Sequence, residues 1–201
     1  MRIGPKYKIA RRLGAQVFEK TQGKKFAIAE GATKGRGDRR PKTDFGIQML
    51  EKQKVRFTYG IIERQFKNMV KEVLSKRLAK PEEKLFENLE SRLDNVVLRG
   101  GLAHTRFFAR QMVSHGHITV NGKKVNIPSF HVKKGDVISV REGSKDKGLF
   151  ANLLEKSKDL TIPAWLRTDF NKKIINVEGA PIYVPATLSF SLTSVLEFYR
   201  R

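Results

Sequence analysis

The sequence predicts an α+β fold with three parts: a basic N-terminal arm, a helical subdomain, and an inserted α+β module with antiparallel strands. Three observations carry this expectation. Basic residues crowd the first forty positions, 12 against 3 acidic ones. Apolar residues then recur with a helical period between Thr43 and Arg99. Beyond them a short helix pattern runs into strict alternation around Asn121-Gly122, the strongest short-range signal for a two-residue hairpin.

The arm spans residues 1–40. Its Gly-rich run from Gly31 to Gly37 offers no apolar face to bury, so it is expected to order against a polyanion. The helical subdomain spans 41–90, with 188–201 packing back on it. Its first helix runs from Thr43 to about Lys54, and a second opens near Gly60. There Ile62, Phe66, Met69, Val70, Val73 and Leu74 hold the period until Lys80-Pro81 ends it. Leu85, Phe86, Leu89, Leu93, Val96 and Val97 predict a single third helix, broken at Gly100-Gly101.

The α+β module spans 91–151. Thr105 reads as the N-cap of a helix through Ser114, with Gly116 just past its end. Arg106, Arg110 and Ser114 lie four residues apart on one face, while Phe108, Met112 and Val113 form an apolar stripe. A hairpin follows over His117–Ile127, with Lys123 and Lys124 at its edge, and Val137–Val140 reads as a strand able to pair with it. Residues 152–187 complete the subdomain. A helix is expected around Leu149–Ser157, short strands over Trp165–Phe170 and Ile174–Val177, and a packed, helical end from Leu188 to Tyr199.

The balance of 41 Lys and Arg against 20 Asp and Glu gives a net charge of +21 in 201 residues, which points to nucleic acid. No apolar run reaches the roughly eighteen residues of a membrane span, and no signal peptide or lipidation motif is present, so a cytoplasmic location is expected. The chain has no cysteine, and its four histidines lack the three convergent ligands of a catalytic zinc site, so neither metal nor other cofactor is expected. His115 and His117, flanking Gly116, suit helix capping or RNA contact. Phe108 reads as core, and Phe107 suits either core or base stacking.

Arg92-Leu93-Asp94 resembles part of the signature around the catalytic aspartate of pseudouridine synthases. Those enzymes continue with Thr and Gly, whereas Asn95-Val96-Val97-Leu98 here continues a helix. Asp94 therefore reads as a helix-surface charge paired locally. Asp44-Phe45-Gly46 matches a kinase tripeptide with no lysine strand or catalytic loop to accompany it. An RNA-modifying enzyme and a standalone quality-control RNA binder are the rival classes. The second would need neither the arm nor the helical subdomain.

Longer motifs carry a family resemblance over nearly the whole chain. They are Glu51-Lys52-Gln53-Lys54-Val55-Arg56, Tyr59-Gly60, Glu63-Arg64-Gln65-Phe66, Ser91 through Val97, Ala109 through Ile118, Val120-Asn121-Gly122-Lys123 and Glu197-Phe198-Tyr199. In these the chain resembles the bacterial small-ribosomal-subunit protein S-four family, and the 91–151 module resembles its RNA-binding domain. The resemblance implies a non-enzymatic structural protein of the 30S subunit, monomeric within it. It implies a primary binder of 16S rRNA that grips a helix junction of the 5′ domain and nucleates assembly of the 30S body. It further implies contact with ribosomal protein S-five, an effect on translational accuracy, and a place near the channel through which mRNA enters.

Carried onto this sequence, the rRNA contacts expected are Lys6, Lys8, Arg11, Arg12, Lys52, Lys54, Arg56, Tyr59, Arg64, Gln65, Arg92, Thr105, Arg106, Arg110, Gln111, Ser114, His115, His117, Lys123 and Lys124. Arg39, Arg40 and Lys42 resemble the basic cluster that faces mRNA. Tyr7 and Ala10 stand where many members carry zinc-binding cysteines, so the chain resembles the zinc-free variant. Lys34-Gly35-Arg36-Gly37-Asp38 replaces the family's Pro-Gly-x-His-Gly stretch.

Overall fold

A computed structural model describes residues 3–15, 17–22, 43–145, 148–150 and 161–201. The Gly-rich run, Arg39, Arg40, Lys42 and all but the start of the helix expected around Leu149–Ser157 lie outside the described residues. The chain divides into two units, residues 1–85 with 184–201, and residues 86–183.

In the first unit the basic N-terminal segment is not wholly an arm. Helix α1 (Lys6–Leu13) stops at Gly14, and Ala10, Leu13, Val17 and Phe18 form a small core with Leu50 and Phe57 packed on it. Alternating short apolar and basic residues leave α1 one buried stripe, which is why this part orders on protein. Helix α2 (Asp44–Tyr59) is capped by the Thr43 hydroxyl, which accepts from Gly46 N at 3.2 Å. It runs five residues past the expected Lys54 because Val55 and Tyr59 continue its buried face to the stop at Gly60.

Helix α3 (Glu63–Ser75) ends before Lys80-Pro81, and Pro81 opens α4 (Pro81–Glu90), where a residue without an N–H costs no helical hydrogen bond. The C-terminal helix α7 (Leu192–Arg200), capped by Ser191, packs on α2 and α3. Its Phe198 and Tyr199 rings meet Phe45 and Phe66 at centroid distances of 5.4 and 6.1 Å.

The second unit joins two helices to a five-stranded antiparallel sheet. The expected third helix is two helices, α4 and α5 (Leu93–Arg99), broken at Ser91-Arg92. Backbone pairing from a distant segment makes the break: Arg92 bridges His131, Leu93 N donates to Phe130 O and Val132 N donates to Ser91 O. Helix α6 (Arg106–Ser114) follows, then β1 (Ile118–Val120), β2 (Lys123–Lys124), β3 (Val137–Val140), β4 (Leu166–Asp169) and β5 (Ile174–Val177). The strand order is β2-β1-β3-β5-β4.

Met112 and Val113 of α6, Val96 and Val97 of α5, and Ile118, Ile138 and Ile175 of the sheet share one apolar core. Close approach sets one position: a Cβ on Gly100 would lie 2.3 Å from Ile175 Cδ1. Among the described residues no helix is long and apolar enough to cross a membrane.

Candidate nucleic-acid interface

Helix α6 and the β1–β2 hairpin form the candidate interface of the second unit. Thr105 accepts from Phe108 N at 3.1 Å, so its hydroxyl starts the helix. Ala109, Met112 and Val113 are buried against the core, which turns Gln111 and Ser114 outward. Phe108 is half-buried on that core with the exposed His104 ring 4.8 Å away, as its stripe predicts. The hairpin turn places Asn121 at φ 51° and Gly122 at φ 76°, the two positive values that a type I′ turn requires. Asn121 fastens this turn to the sheet, donating to Asp136 Oδ1 and accepting from Val137 N, each at 2.9 Å.

The exposed Lys123 and Lys124 project from the second hairpin strand. Gly116, at φ +70°, lies directly beneath Lys124, since a Cβ there would be 2.1 Å from Lys124 Cε. The lysine stem therefore crosses the C-terminal end of α6. His115 is exposed, whereas His117 is half-buried with Nδ1 3.0 Å from Ser144 Oγ and its ring edge-on to Phe150.

The arginines of α6 are held rather than loose. Arg110 donates to Asp94 Oδ2 from Nε at 2.8 Å and Nη2 at 2.6 Å, and keeps 23% of its side chain exposed. Arg92 grips the same carboxylate with two parallel bonds of 3.0 and 2.9 Å. Asp94 is 2% exposed, so its reading as a helix-surface charge is corrected. Its partners are a buried guanidinium two residues back and another on α6, and no i, i+4 pair is involved. Arg106 donates from Nε to Asn95 Oδ1 at 3.0 Å. Asn95 in turn donates to Glu90 Oε2 at 2.7 Å, and Arg99 clasps Glu90 with bonds of 3.0 and 2.9 Å.

Glu90, Asn95 and Arg99 were not singled out by sequence. The signal available was a polar doublet, Asp94-Asn95, set between Leu93 and Val96-Val97, all of which are buried.

Two of the residues expected to contact RNA are buried in their units. Arg92 is 4% exposed, committed to Asp94, and Tyr59 is 2% exposed, edge-on to Phe190 at 6.3 Å. Lys52 is likewise buried at 8% exposure, bonded to Glu63 Oε1 at 2.8 Å with its ammonium 4.5 Å from the Phe198 ring. As placed, each of the three packs inside its own unit.

Arg56 donates to Glu63 Oε2 at 3.1 Å, and Tyr199 donates to Glu63 Oε1 at 2.8 Å. Burial pushes the Glu63 carboxyl up, but bonds from Lys52, Tyr199 and Arg56 with the Lys52 charge outweigh it and hold it below its ordinary value. Burial and the Glu63 carboxylate together raise the Tyr199 phenol, which stays a donor. Lys54 pairs with Glu51 at 2.6 Å, and Glu51 also accepts from Ser191 N.

Lys8, Arg11 and Arg12 are exposed on α1, and Lys6 is half-buried with its ammonium 5.7 Å from the Phe18 ring. Arg64 and Gln65 are exposed in the first turn of α3. Among the described residues no group of three His, Asp or Glu side chains is placed to hold a metal ion.

Two family models match the chain: one described as the Ribosomal protein S4/S9 N-terminal domain over residues 1–93, and one described as the S4 domain over residues 91–138. Curated relatives include the small ribosomal subunit protein uS4 of Pseudomonas aeruginosa and that of Chromobacterium violaceum. Each is 41% identical over 203 aligned residues, covering 99% of this chain and 98% of the relative. The corresponding protein of Neisseria meningitidis is 40% identical with the same coverage. With an RNA-binding module whose cationic helix adjoins a lysine-bearing hairpin, and full-length relatedness of this degree, the chain belongs to the bacterial uS4 family and is a structural component of the small ribosomal subunit.

Proposed function

We propose that the protein is a primary 16S rRNA binder that grips a helix junction of the 5′ domain, nucleates assembly of the 30S body and, beside ribosomal protein S-five, influences translational accuracy. It works without catalysis, as a monomer within the 30S subunit of cytoplasmic ribosomes, with Arg39, Arg40 and Lys42 facing incoming mRNA. The observation that carries this reading is the juxtaposition on one unit of Arg106, Arg110 and Ser114 on α6 with Lys123 and Lys124 on the hairpin.

Affinity comes from cations meeting phosphates and releasing counterions, and specificity comes from the shape of the folded junction, since A-form major grooves are too narrow for side-chain readout. Alpha-helical cations at one edge and a hairpin tip at the other suit a backbone that changes direction. Enclosure of Asp94, the counterpart of a catalytic aspartate in the rival uridine-modifying reading, by two arginines favours the non-enzymatic reading.

The test is binding of the purified protein to a junction fragment of small-subunit rRNA and to a duplex of equal length across a salt series. Strong preference for the junction is expected, with each phosphate contact contributing about −0.7 to −0.9 to the log–log salt slope. Equal affinity for the two RNAs would refute the junction reading.

A further inference from the structure

The second unit carries a buried polar network whose outer members are the α6 arginines. It has two branches. In one, Asp94 (3% of its side chain exposed) is clasped by Arg92 from beneath and by Arg110 from α6. In the other, Arg99 clasps Glu90 (2% of its side chain exposed), Glu90 accepts from Asn95, and Asn95 accepts from Arg106. Neighbouring residues of α5, Asp94 and Asn95, thus reach the two α6 arginines that stand one turn apart.

Such contacts suit presentation, since they hold the arginines in place while Arg110 keeps 23% of its side chain exposed. A long, rotamer-rich side chain loses conformational entropy when it binds phosphate, and one already held loses less.

We infer that Asp94 and Asn95 are positioning residues for phosphate recognition, holding Arg110 and Arg106 in set orientations so that RNA meets a pre-organised pair of guanidiniums. This rests on the reading of α6 as an rRNA-contact helix. The network reaches the phosphates through the two arginines, and no contact of Asp94 or Asn95 with RNA is required. Arginine identity then matters beyond charge, because a lysine gathers its three donors on a single nitrogen in place of the planar fork that spans Nε and Nη2.

The experiment compares wild type, Arg110→Lys and Asn95→Ala on the junction RNA across the same salt series, with thermal unfolding and the Nε–H resonances of the arginines recorded for each. Both variants keep the number of cations on α6. Each is expected to bind about tenfold more weakly with an unchanged salt slope. In Asn95→Ala the Arg106 Nε–H signal is expected to lose the slow solvent exchange that its bond to Asn95 confers. Arg110→Lys alters a partly exposed side chain and keeps the test decisive if Asn95→Ala fails to fold.

Affinity unchanged in folded Arg110→Lys would overturn the inference and leave the rRNA-contact reading of α6 intact. A lower salt slope with lower affinity would also overturn it, because charge loss and not orientation would be the cause. Failure of the wild type to prefer the junction would remove the reading of α6 and this inference together.

Discussion

Replacing Asp94 by Ala removes four hydrogen bonds and the only carboxylate that, among the described residues, is set against Arg92, whose side chain is 5% exposed. Arg110 can turn toward water, but Arg92 cannot, and a guanidinium does not shed its proton to relieve the cost. Removing one partner of a buried pair costs about 3–5 kcal/mol, most of it the uncompensated charge left behind. For a unit the size of residues 86–183, each kcal/mol lowers the melting temperature by about 4–8 °C, so a fall of about 12 °C or more is expected.

Trp165, the one tryptophan of the chain, packs on the core of the same unit, so urea unfolding followed by its fluorescence reports the loss where it occurs. Arg92→Met combined with Asp94→Leu removes both buried charges and is expected to be more stable than Asp94→Ala alone. A loss below about 1 kcal/mol in the single variant, or a double variant less stable than the single, would refute the argument.

Three further outcomes follow from the geometry. Gly100→Ala drives a methyl into Ile175 and is expected to cost about 1–3 kcal/mol, part of which Ile175→Val recovers by removing the Cδ1 that it meets; a neutral change in chemical denaturation would contradict the contact. Glu63 has its pKa lowered in the folded state, so its stabilising contribution is present above the ordinary value of 4.5 and is lost as pH falls through the lowered one. The melting-temperature gap between wild type and Glu63→Gln should therefore shrink on acidification, and a gap independent of pH would refute the linkage. Arg110→Glu sets a carboxylate against buried Asp94 and removes two charge-assisted bonds, so it is expected to lower thermal stability; an unchanged melting temperature would contradict the placement.

Local chemistry was legible in the sequence wherever a few adjacent residues decide the outcome. Thr105 starts α6 through its own hydroxyl, and Asn121-Gly122 adopts the two positive φ values of its turn, so the helix and hairpin follow from about a dozen neighbours. What sequence hid depends on partners far along the chain. The apolar period runs unbroken from Leu85 to Val97, yet pairing with residues 130–132 breaks the helix at Ser91-Arg92.

Burial of charge was hidden for the same reason. Asp94 is enclosed because Arg110 arrives from sixteen residues away, and Lys52 because Phe198 and Tyr199 arrive from the far C-terminal end. A basic residue in a basic chain reads as a surface contact. Here Lys52 and Arg92 instead hold the framework, while Lys123, Lys124 and the partly exposed Arg110 remain at the surface.

The chain contains no cysteine, so a single Cys can carry a cleavage reagent without competing sites. Helix α6 and the hairpin tip are proposed to face rRNA. Ser114→Cys and, separately, Lys123→Cys bearing a tethered hydroxyl-radical source are to be bound to 16S rRNA, with the unlabelled protein as control. Cleavage is expected at a few nucleotides clustered around one junction of the 5′ domain, with overlapping positions from the two tethers. Absence of cleavage from both, or cuts scattered through the RNA with no overlap, would contradict the account.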